Sequence, residues 1–286
     1  MSINRGINRI IKVFLWILVL TVIIILCQRR GTNDQTMIEP VYSYKIVAAY
    51  PHDSSAFTQG LVYHNNYLYE GTGLYGHSSL RQVRPADGLI RQAVTLPDQY
   101  FGEGIAIVDQ RIIQLTWKEN TGFVYDLTTF VLIDNFTYPT EGWGLTYDGQ
   151  YLIMSDGSSV LTFLDPHTYQ PVKQVTVESI TGPVEKLNEL EYIDGIIYAN
   201  IWLSDDIALL DPGTGVVIGW IDLSGLRSHL AARFSPEVLA QIDVLNGIAY
   251  QPDTGQLLVT GKLWPLIFTI EVGERPLNLE GRSEGL

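Results

Sequence analysis

Alternation of hydrophobic and polar residues runs through most of the chain from residue 42 onward, in short segments separated by glycine, asparagine and aspartate. A period of two is typical of half-buried β-strands. One element recurs five times in this pattern. It starts with a polar or aromatic residue, continues with a second residue that is usually glycine, and leads into an apolar strand. The five copies are Gln59-Gly60-Leu61, Glu103-Gly104-Ile105, Trp143-Gly144-Leu145, Asn188-Glu189-Leu190 and Asn246-Gly247-Ile248. The chain is therefore predicted to repeat one β-rich unit five times.

The spacing of these elements predicts the fold. Their second residues, at 60, 104, 144, 189 and 247, are separated by 44, 40, 45 and 58 residues. A period of roughly 40–45 residues with four short strands per unit is typical of a β-propeller blade. We therefore predict an all-β, five-bladed β-propeller with four-stranded blades. A β-sandwich would not explain why the same position recurs five times.

Three further signals complete the predicted fold. The longest interval contains Ser235-Pro236-Glu237, which starts a helical pattern and predicts a short inserted helix before the fifth blade. The last repeat lacks an outer strand, and residues 42–47 are predicted to supply it, which would remove an open sheet edge. Third strands end in Asp126, Asp165 and Asp211, which are predicted to accept hydrogen bonds from backbone N–H groups in hairpin turns.

The first 31 residues differ in composition from the rest. Arg5, Arg9 and Lys12 precede an apolar run, residues 13–27, that carries no charge. Basic residues before an apolar run are typical of an export signal or an N-terminal anchor, and no small-residue cleavage site follows. We predict a signal anchor with a transmembrane helix at 1–31, a linker at 32–41, the propeller at 42–272 and a tail at 273–286. The propeller is thus expected outside the cytoplasm, in the periplasm or secretory lumen, attached to the membrane through the N-terminal segment.

Composition narrows the classes of function. The net charge of −13 argues against nucleic-acid binding, which needs a basic surface. The single cysteine, Cys27, excludes an intramolecular disulfide and a cysteine-based zinc site. The sequence contains no glycine-rich phosphate loop, no histidine pair with metal-ligand spacing and no serine nucleophile elbow. No cofactor is therefore expected, although a structural metal ion at the periphery stays an alternative without assignable ligands.

Two smaller expectations concern the surface. No feature defines an oligomer, and a monomer is expected. The histidines are expected in surface turns or loops, namely His52, His64, His77, His167 and His229.

The first strand of each propeller blade lies next to the axis, so the residues that open these strands line the mouth of a central channel. With the ends of the second strands they predict an aromatic cup that holds acid, amide and lysine side chains. Its members are Phe57, Phe101, Trp117, Trp143, Trp202, Gln59, Asn188, Asn200, Asn246, Glu103 and Lys262. Glu189 or Glu191 is an alternative second acid. Aromatic faces attract a cation and an acid pairs with it, so this cup suits a small cationic group. Alternatively, the aromatic side chains only fill the channel.

Several strings of residues are more specific together than any one of them alone. They are AFTQGL (56–61), FGEGI (101–105), QLTWK (114–118), EGWGLTYDG (141–149), NELEY (188–192), ANIW (199–202), LNGIAY (245–250) and VTGKLWP (259–265). In this order they make residues 42–272 resemble the glutaminyl-peptide cyclotransferases of the plant and bacterial type. The resemblance implies a five-bladed propeller that acts on peptides or proteins with an N-terminal glutamine. Such an enzyme converts the glutaminyl residue into pyroglutamyl and releases ammonia.

The resemblance also implies roles for individual residues. The acid–base role falls on Glu103, and the substrate cup falls on Phe57, Gln59, Phe101, Trp117, Trp143, Asn188, Trp202 and Lys262. The substrate's own α-amine attacks its γ-carboxamide, so no protein nucleophile is needed. Lys262, Asn188 or a tryptophan indole N–H could donate to the oxyanion, which makes Lys262 the second predicted catalytic residue. Desolvation should raise the pKa of Glu103, with Lys262 opposing the rise.

Two other functions stay open on the sequence. A non-catalytic propeller could bind peptide N-termini in the same cup without a titrating carboxylate. A metal-dependent propeller hydrolase would need several carboxylate and carbonyl oxygens around the channel, where this sequence offers few acids and many aromatic residues.

Overall fold

A computed structural model describes residues 38–276 and shows an all-β, propeller-like arrangement of short antiparallel strands. The strands are β1 (Val41–Pro51), β2 (Thr58–His64), β3 (Tyr67–Thr72), β4 (Ser79–Arg84), β5 (Leu89–Thr95), β6 (Gly102–Val108), β7 (Arg111–Thr116), β8 (Thr121–Asp126), β9 (Leu132–Thr137), β10 (Leu145–Tyr147), β11 (Leu152–Met154), β12 (Val160–Leu164), β13 (Pro171–Thr176), β14 (Glu178–Ser179), β15 (Gly182–Pro183), β16 (Leu187–Ile193), β17 (Ile196–Ile201), β18 (Asp206–Leu210), β19 (Val217–Asp222), β20 (Leu245–Gln251), β21 (Gln256–Gly261) and β22 (Leu266–Pro276). Two short helices, α1 (Gly225–Ala231) and α2 (Pro236–Leu239), lie between β19 and β20.

The strands form several four-stranded sheets. Strands β2–β5, β6–β9 and β10–β13 each make one sheet in sequence order. A larger sheet has the order β16-β17-β18-β19-β1-β22-β21-β20, so two further runs of four strands meet where β1 lies beside β19. Strands β14 and β15 form a small separate hairpin.

The N-terminal strand closes the last run of strands, as the sequence predicted. β1 pairs antiparallel with β22, with Tyr44 opposite Val272 and Ile46 opposite Ile270. It also pairs in parallel with β19 over its first two residues. β22 therefore has a partner on both sides, and the exposed backbone edge that invites association is covered. β22 continues to Pro276, into the segment predicted as a tail.

Hairpin turns between third and fourth strands follow the predicted design. The Oδ1 atom of Asp126 accepts the backbone N–H groups of Thr128 and Thr129 at 3.1 and 2.8 Å. Asp165 and Asp211 accept the N–H groups two and three residues later in the same way. A side chain that caps its own turn satisfies donors that the ladder leaves free. These acids are therefore structural.

The first sheet uses a different turn, because Arg84 stands where the others have aspartate. The Arg84 guanidinium donates to Asp87, and the Oδ1 atom of Asp87 also accepts the N–H of Leu89 at 3.2 Å. Gly88 has a φ of +69° and donates its N–H to the Arg84 carbonyl. The turn is thus held by an acid three residues later in the chain.

Apolar side chains fill the space between neighbouring sheets. Leu80 from β4 packs with Ile105 from β6 and Ile112 from β7, and none of the three is exposed. Fully burying a side chain of this size contributes about 1.5–3 kcal/mol. Equivalent clusters lie between the other neighbouring sheets.

The first strands of the sheets approach each other closely. β2 contacts β6, β6 contacts β10, β10 contacts β16, β16 contacts β20, and β20 contacts β2. The N–H of Gly104 donates to the Trp143 carbonyl at 2.7 Å across one of these contacts. A Cβ on Gly104 would lie 2.6 Å from that oxygen, and one on Gly144 would lie 1.9 Å from the Asn188 oxygen. Glycine is therefore required where neighbouring backbones meet.

The predicted inserted helix is present and is preceded by another. α2 begins at Pro236 after Ser235, whose backbone is extended, as expected for a helix that starts with proline. The sequence reasoning did not identify α1. Its Leu226 and Leu230, four residues apart, are buried on one helix face and pack in the cluster that contains Trp264.

The expectations for the N-terminal anchor, for linker residues 32–37 and for tail residues 277–286 lie outside the described residues. Among residues 38–276, no helix has the length and apolar character needed to cross a membrane.

Candidate active site

Glu103 lies at the start of the first strand of its sheet, where the recurring sequence element placed it. It is the second residue of β6 and is 3% exposed. The Nε2 atom of Gln59, from β2, donates to its Oε1 atom at 2.8 Å. Asn246, from β20, donates to the Gln59 Oε1 atom at 3.3 Å and so turns the Gln59 amide toward Glu103. Gln59, predicted as a substrate contact, thus binds the candidate catalytic acid.

The surroundings of Glu103 favour its protonated form. Burial raises the pKa of Glu103 well above its usual value, and Lys262 opposes that rise. The negative charges of Glu141 and Glu119 raise the pKa further, while the hydrogen bond from Gln59 lowers it. A carboxyl group whose pKa is moved toward neutrality can both accept and return a proton. Desolvation and the opposing lysine act as expected from the sequence.

Lys262 follows β21 and is 5% exposed. Its Nζ atom lies 4.8 Å from the centroid of the Phe57 ring. Burial lowers the pKa of Lys262, against the opposing effects of Glu103 and Asp243. The next residue, Leu263, has a φ of +61° and donates its N–H to the carbonyl of Ala56, beside Phe57. The lysine and the phenylalanine are therefore held together by their backbones.

One group of aromatic residues is centred on Phe101. Its ring meets the rings of Phe57, Trp117 and Tyr75 edge to face, with centroids 6.0, 5.5 and 5.3 Å apart. A Cβ on Gly73 would lie 2.1 Å from the Phe101 ring, so glycine gives this ring its place. Edge-to-face pairs at these distances are favourable beyond the area that they bury. The structure thus brings together three of the predicted cup residues.

A second aromatic group contains Trp143 and Trp202, whose rings meet edge to face at 5.6 Å. One carboxylate joins it to the first group. The Oε2 atom of Glu141 accepts the indole N–H of Trp117 at 2.7 Å and that of Trp143 at 3.0 Å. The sequence reasoning missed Glu141, although it stands two residues before Trp143 in one of the recognised strings.

The rim carries two further residues that the sequence reasoning did not single out. The hydroxyl of Tyr75 donates to the Oε1 atom of Glu119 at 2.8 Å. The Oε2 atom of Glu119 accepts the N–H of Phe101 at 3.3 Å. Tyr75 is 48% exposed and crosses from the first sheet toward the second. No local pattern marks this pair, since the two residues are 44 positions apart.

Asn188 is 2% exposed, and its Oδ1 atom has no hydrogen-bond partner within the described part of the chain. Buried side-chain oxygens nearly always have a partner, so this unpaired acceptor is a candidate contact for a donor group of a ligand. The Oδ1 atom of neighbouring Asn200 accepts the N–H of Gly247 at 2.9 Å, while its Nδ2 atom is likewise buried without a partner among residues 38–276.

The alternative acids, Glu189 and Glu191, have structural partners. Glu189 accepts the N–H groups of Leu61 and Ile248 at 3.1 and 2.8 Å, which joins three of the first strands. Glu191 accepts the N–H of Tyr250 at 2.9 Å. Burial raises the pKa of Glu189 well above its usual value, and that of Glu191 to about 8. Both acids connect strands.

The expectation that His52 lies at the surface is wrong. The side chain is 2% exposed, with Nδ1 2.7 Å from the Trp264 carbonyl and Nε2 2.9 Å from Glu70. Both partners can accept a hydrogen bond, which favours a proton on each ring nitrogen, and Glu70 raises the pKa of His52 against the opposing effect of burial. Glu70 also accepts the Thr58 hydroxyl at 2.8 Å and lies 3.9 Å from Arg81. Residues 38–276 contain no group of three or more His, Cys, Asp or Glu arranged to hold a metal ion.

The fold and the pocket together define a class. A propeller-like domain holds Glu103, a buried acid of raised pKa, with a lysine and paired aromatic rings at the ends of its inner strands, which is the arrangement of an enzyme site. Residues 18–272 match the family model described as glutamine cyclotransferase. The chain therefore belongs to the glutamine cyclotransferase family, a family of enzymes, as the resemblance predicted.

Two relatives support this assignment. A glutaminyl-peptide cyclotransferase of Arabidopsis thaliana is 43% identical over 230 residues, which cover 80% of this chain and 71% of the relative. The crystal structure of Myxococcus xanthus glutaminyl cyclase aligns with a TM-score of 0.76 at 38% identity, over 84% of this chain and 100% of that chain.

Proposed function

We propose that this protein cyclises N-terminal glutaminyl residues of peptides and proteins to pyroglutamyl residues and releases ammonia. Membership of the glutamine cyclotransferase family supports the reaction. The single observation that carries the proposal is Glu103, a buried acid of raised pKa held by Gln59 beside an aromatic pocket. This arrangement suits a proton transfer in a site from which most water is excluded.

The N-terminus of the substrate enters with its α-amine near Glu103. An α-amine has a pKa of about 7.7–8.0, so its cation is attracted by the carboxylate and by the faces of the aromatic rings. Transfer of a proton to Glu103 leaves the neutral amine that the reaction needs. The amine and the amide belong to one residue, so the site contributes by holding the two groups in a near-attack geometry rather than by bringing two molecules together.

The chemical steps balance without a protein nucleophile. The amine nitrogen attacks the side-chain carboxamide carbon, a C–N bond closes the five-membered ring, and the carbonyl electron pair moves to oxygen. The Oε1 atom of Glu103 is engaged by Gln59, so we assign Oε2 to carry the moving proton. Glu103 gives the proton that it took from the ammonium to the leaving nitrogen and then takes a second proton from the ring nitrogen. The electron pair of the oxyanion re-forms the carbonyl as the old C–N bond breaks, and ammonia leaves with the electron pair of that bond.

The oxyanion of the intermediate needs hydrogen-bond donors, and we assign this role to Lys262 and Asn188. The indole N–H groups of Trp117 and Trp143 are already engaged by Glu141, whereas the Trp202 indole does not donate to Glu141 and stays a further candidate donor. Both assigned residues are nearly fully buried, where a donor aimed at developing charge is most effective. Loss of one such donor typically lowers kcat about 10²–10³-fold.

We further propose that the domain is a propeller of five blades and that it works outside the cytoplasm. The cyclic contacts among the five first strands, and the two four-stranded runs within the larger sheet, support the number of blades. The composition of residues 1–31 supports a membrane anchor. We retain a linker at 32–41, a catalytic domain at 42–272 and a monomeric state.

The direct test is incubation with a glutamine-initiated dipeptide, followed by ammonia release and by the mass loss of one ammonia per peptide. An asparagine-initiated dipeptide is the matched control, because its shorter side chain cannot close the five-membered ring. Turnover of the first and not the second is expected. Binding of the glutamine peptide without ammonia release would support the non-catalytic binding protein instead.

A further inference from the structure

Glu141 occupies an unusual position among the acids near the pocket. It lies between β9 and β10, and one of its oxygens, Oε2, accepts the indole N–H groups of both Trp117 and Trp143. Trp117 follows β7 of the second sheet, whereas Trp143 precedes β10 of the third. A single half-buried carboxylate therefore joins aromatic side chains from two sheets.

These two hydrogen bonds fix more than two rings. Trp117 lies against Phe101, and Trp143 lies against Trp202, so Glu141 stands at the junction of both aromatic groups. An indole N–H is a donor only, and a bond to a carboxylate is about twice as strong as one between neutral groups. With each N–H turned toward Glu141, the orientation of both rings is fixed, and the Lys118 ammonium, 3.7 Å from the centroid of the Trp117 ring, covers one face of that ring.

We propose that Glu141 is a positioning residue that sets the orientation of Trp117 and Trp143 and thereby the affinity for the glutaminyl end of the substrate. The inference rests on the proposed function for its substrate, but the hydrogen-bond geometry is independent of that function. Glu141 does not touch the reacting atoms in this proposal. It acts through the two rings that it holds.

Two conservative variants of Glu141 separate the effect of its hydrogen-bond geometry from the effect of its charge. Glu141→Gln keeps the length of the side chain and an oxygen that can accept both N–H groups, but it removes the charge. Glu141→Asp keeps the charge but shortens the side chain, so it cannot reach both indoles. If position matters, Asp should raise KM about tenfold and lower kcat less than about threefold, whereas Gln should change KM less than about threefold. If charge matters, the order of the two variants is reversed.

Glu119→Gln provides a control for charge, since Glu119 adds to the raised pKa of Glu103 but binds Tyr75 rather than an indole. Removing either charge should lower the pKa of Glu103 and move the acidic limb of kcat/KM to lower pH. Glu141→Gln and Glu119→Gln should therefore shift the pH profile in the same direction. Glu141→Asp should shift it less and should be the variant with the largest rise in KM.

A readout without turnover keeps this test distinct from that of the proposed function. Indole N–H resonances in a ¹H–¹⁵N spectrum should shift for Trp117 and Trp143 in Glu141→Asp and shift less in Glu141→Gln. Dissociation constants for the glutamine-initiated dipeptide, measured by calorimetry in a Glu103→Gln background, should follow the order of KM. Absence of turnover by the native protein would contradict the proposed function. The indole N–H resonances and the dissociation constants would still decide the role of Glu141.

Three results would overturn the positioning role. The first is a KM and a dissociation constant for Glu141→Asp within about twofold of the native values. The second is a larger rise for Glu141→Gln than for Glu141→Asp. The third is an unfolded Glu141→Gln at the assay temperature, which would make Glu141 a residue of the fold.

Discussion

Two buried glutamates on neighbouring sheets respond to burial in opposite ways. Glu70, in β3, is 1% exposed, and Glu103, in β6, is 3% exposed. Burial alone would raise the pKa of both. His52 at 2.9 Å, with Arg81 farther away, reverses the effect and lowers the pKa of Glu70. Glu103 has no ion pair in the described part of the chain, and its pKa is raised.

Burial alone does not decide whether a carboxyl group exchanges protons. A buried carboxylate in contact with a cation stays ionised and stabilises the fold. A buried carboxylate that forms no ion pair, although a lysine is nearby, keeps a raised pKa and can exchange a proton. A raised pKa does not by itself mark a catalytic acid. The pKa of Glu189 is raised as well, but its oxygens accept hydrogen bonds from two backbone N–H groups. The partners of an acid, rather than its pKa alone, distinguish a catalytic group from a structural one.

The largest expected effect comes from Glu103→Gln. The variant keeps the size of the side chain but cannot carry the proton between amine and ammonia, so kcat should fall about 10²–10⁴-fold. Steady-state release of ammonia from a glutamine-initiated dipeptide measures this loss. Near-native cyclisation by the variant would remove Glu103 from the mechanism.

Stability of the same variant is its control. An acid whose pKa is raised in the folded state binds its proton more tightly there, so the native protein loses stability as the pH rises from the ordinary pKa of glutamate to the raised one. Glu103→Gln should therefore unfold in urea no more easily than the native protein at pH 8. A marked loss of stability would mean that Glu103 holds the fold.

Glu70→Gln is expected to show the opposite pattern. The substitution leaves His52 and Arg81 buried without their carboxylate, and breaking one side of a buried ion pair typically costs about 3–5 kcal/mol. The free energy of unfolding in urea should fall by this order. A loss below about 1 kcal/mol would show that His52 becomes neutral at little cost.

A double-mutant cycle sharpens this result. The pair of substitutions Glu70→Gln and His52→Gln should destabilise the protein by less than the sum of the two single substitutions, because groups in one ion pair are not additive. Additive effects would indicate that the two side chains do not interact in solution.

Much of the fold could be predicted because it repeats. The recurring strand starts identified β2, β6, β10, β16 and β20, and the missing outer strand of the last repeat identified β1 as its partner. The roles of the hairpin acids could be predicted equally well, because each acid accepts hydrogen bonds from backbone N–H groups of its own turn. The α1 helix was missed because its apolar face is formed by two leucines alone, too few to define a period.

The candidate site was predictable only in part, for a different reason. Glu103 was identified because it is the only acid at a position that the other four repeats fill with glutamine, tryptophan or asparagine. Glu141 was missed although Trp143 is two residues away, because its other partner, Trp117, is 24 residues away. Tyr75 was missed because Glu119 is 44 residues away, and only the fold decides which donor meets which acid. His52 looked like a loop residue beside Asp53 and two serines, but it directly follows β1 and lies next to a buried glutamate.

Trp202→Ala tests whether the aromatic rings bind substrate or only fill the channel. Trp202 is 37% exposed and touches Trp143, so its loss removes a ring face from the pocket with little effect on the core. KM should rise about tenfold, while kcat should change less than about threefold. An unchanged KM would mean that Trp202 is only packing.

The smallest expected effect is a dependence of stability on pH that belongs to His52. Burial alone would lower the pKa of His52, but Glu70 outweighs it and the pKa is raised. The stabilisation by a group whose pKa is raised on folding is fully present below its unfolded pKa, about 6.5, and is lost as the pH rises through the folded pKa.

Native protein and His52→Gln should therefore differ most in free energy of unfolding near pH 6. This difference should shrink at alkaline pH by about 1.4 kcal/mol for each unit by which the pKa is raised. Glu70 sets the other limit, since its lowered pKa keeps the carboxylate charged until the pH falls below the usual range of glutamate. The pair is thus most effective between the two displaced pKa values. A difference that stays constant from pH 6 to alkaline pH would show that His52 is neutral in the folded protein, and the contrast between Glu70 and Glu103 would then need another cause.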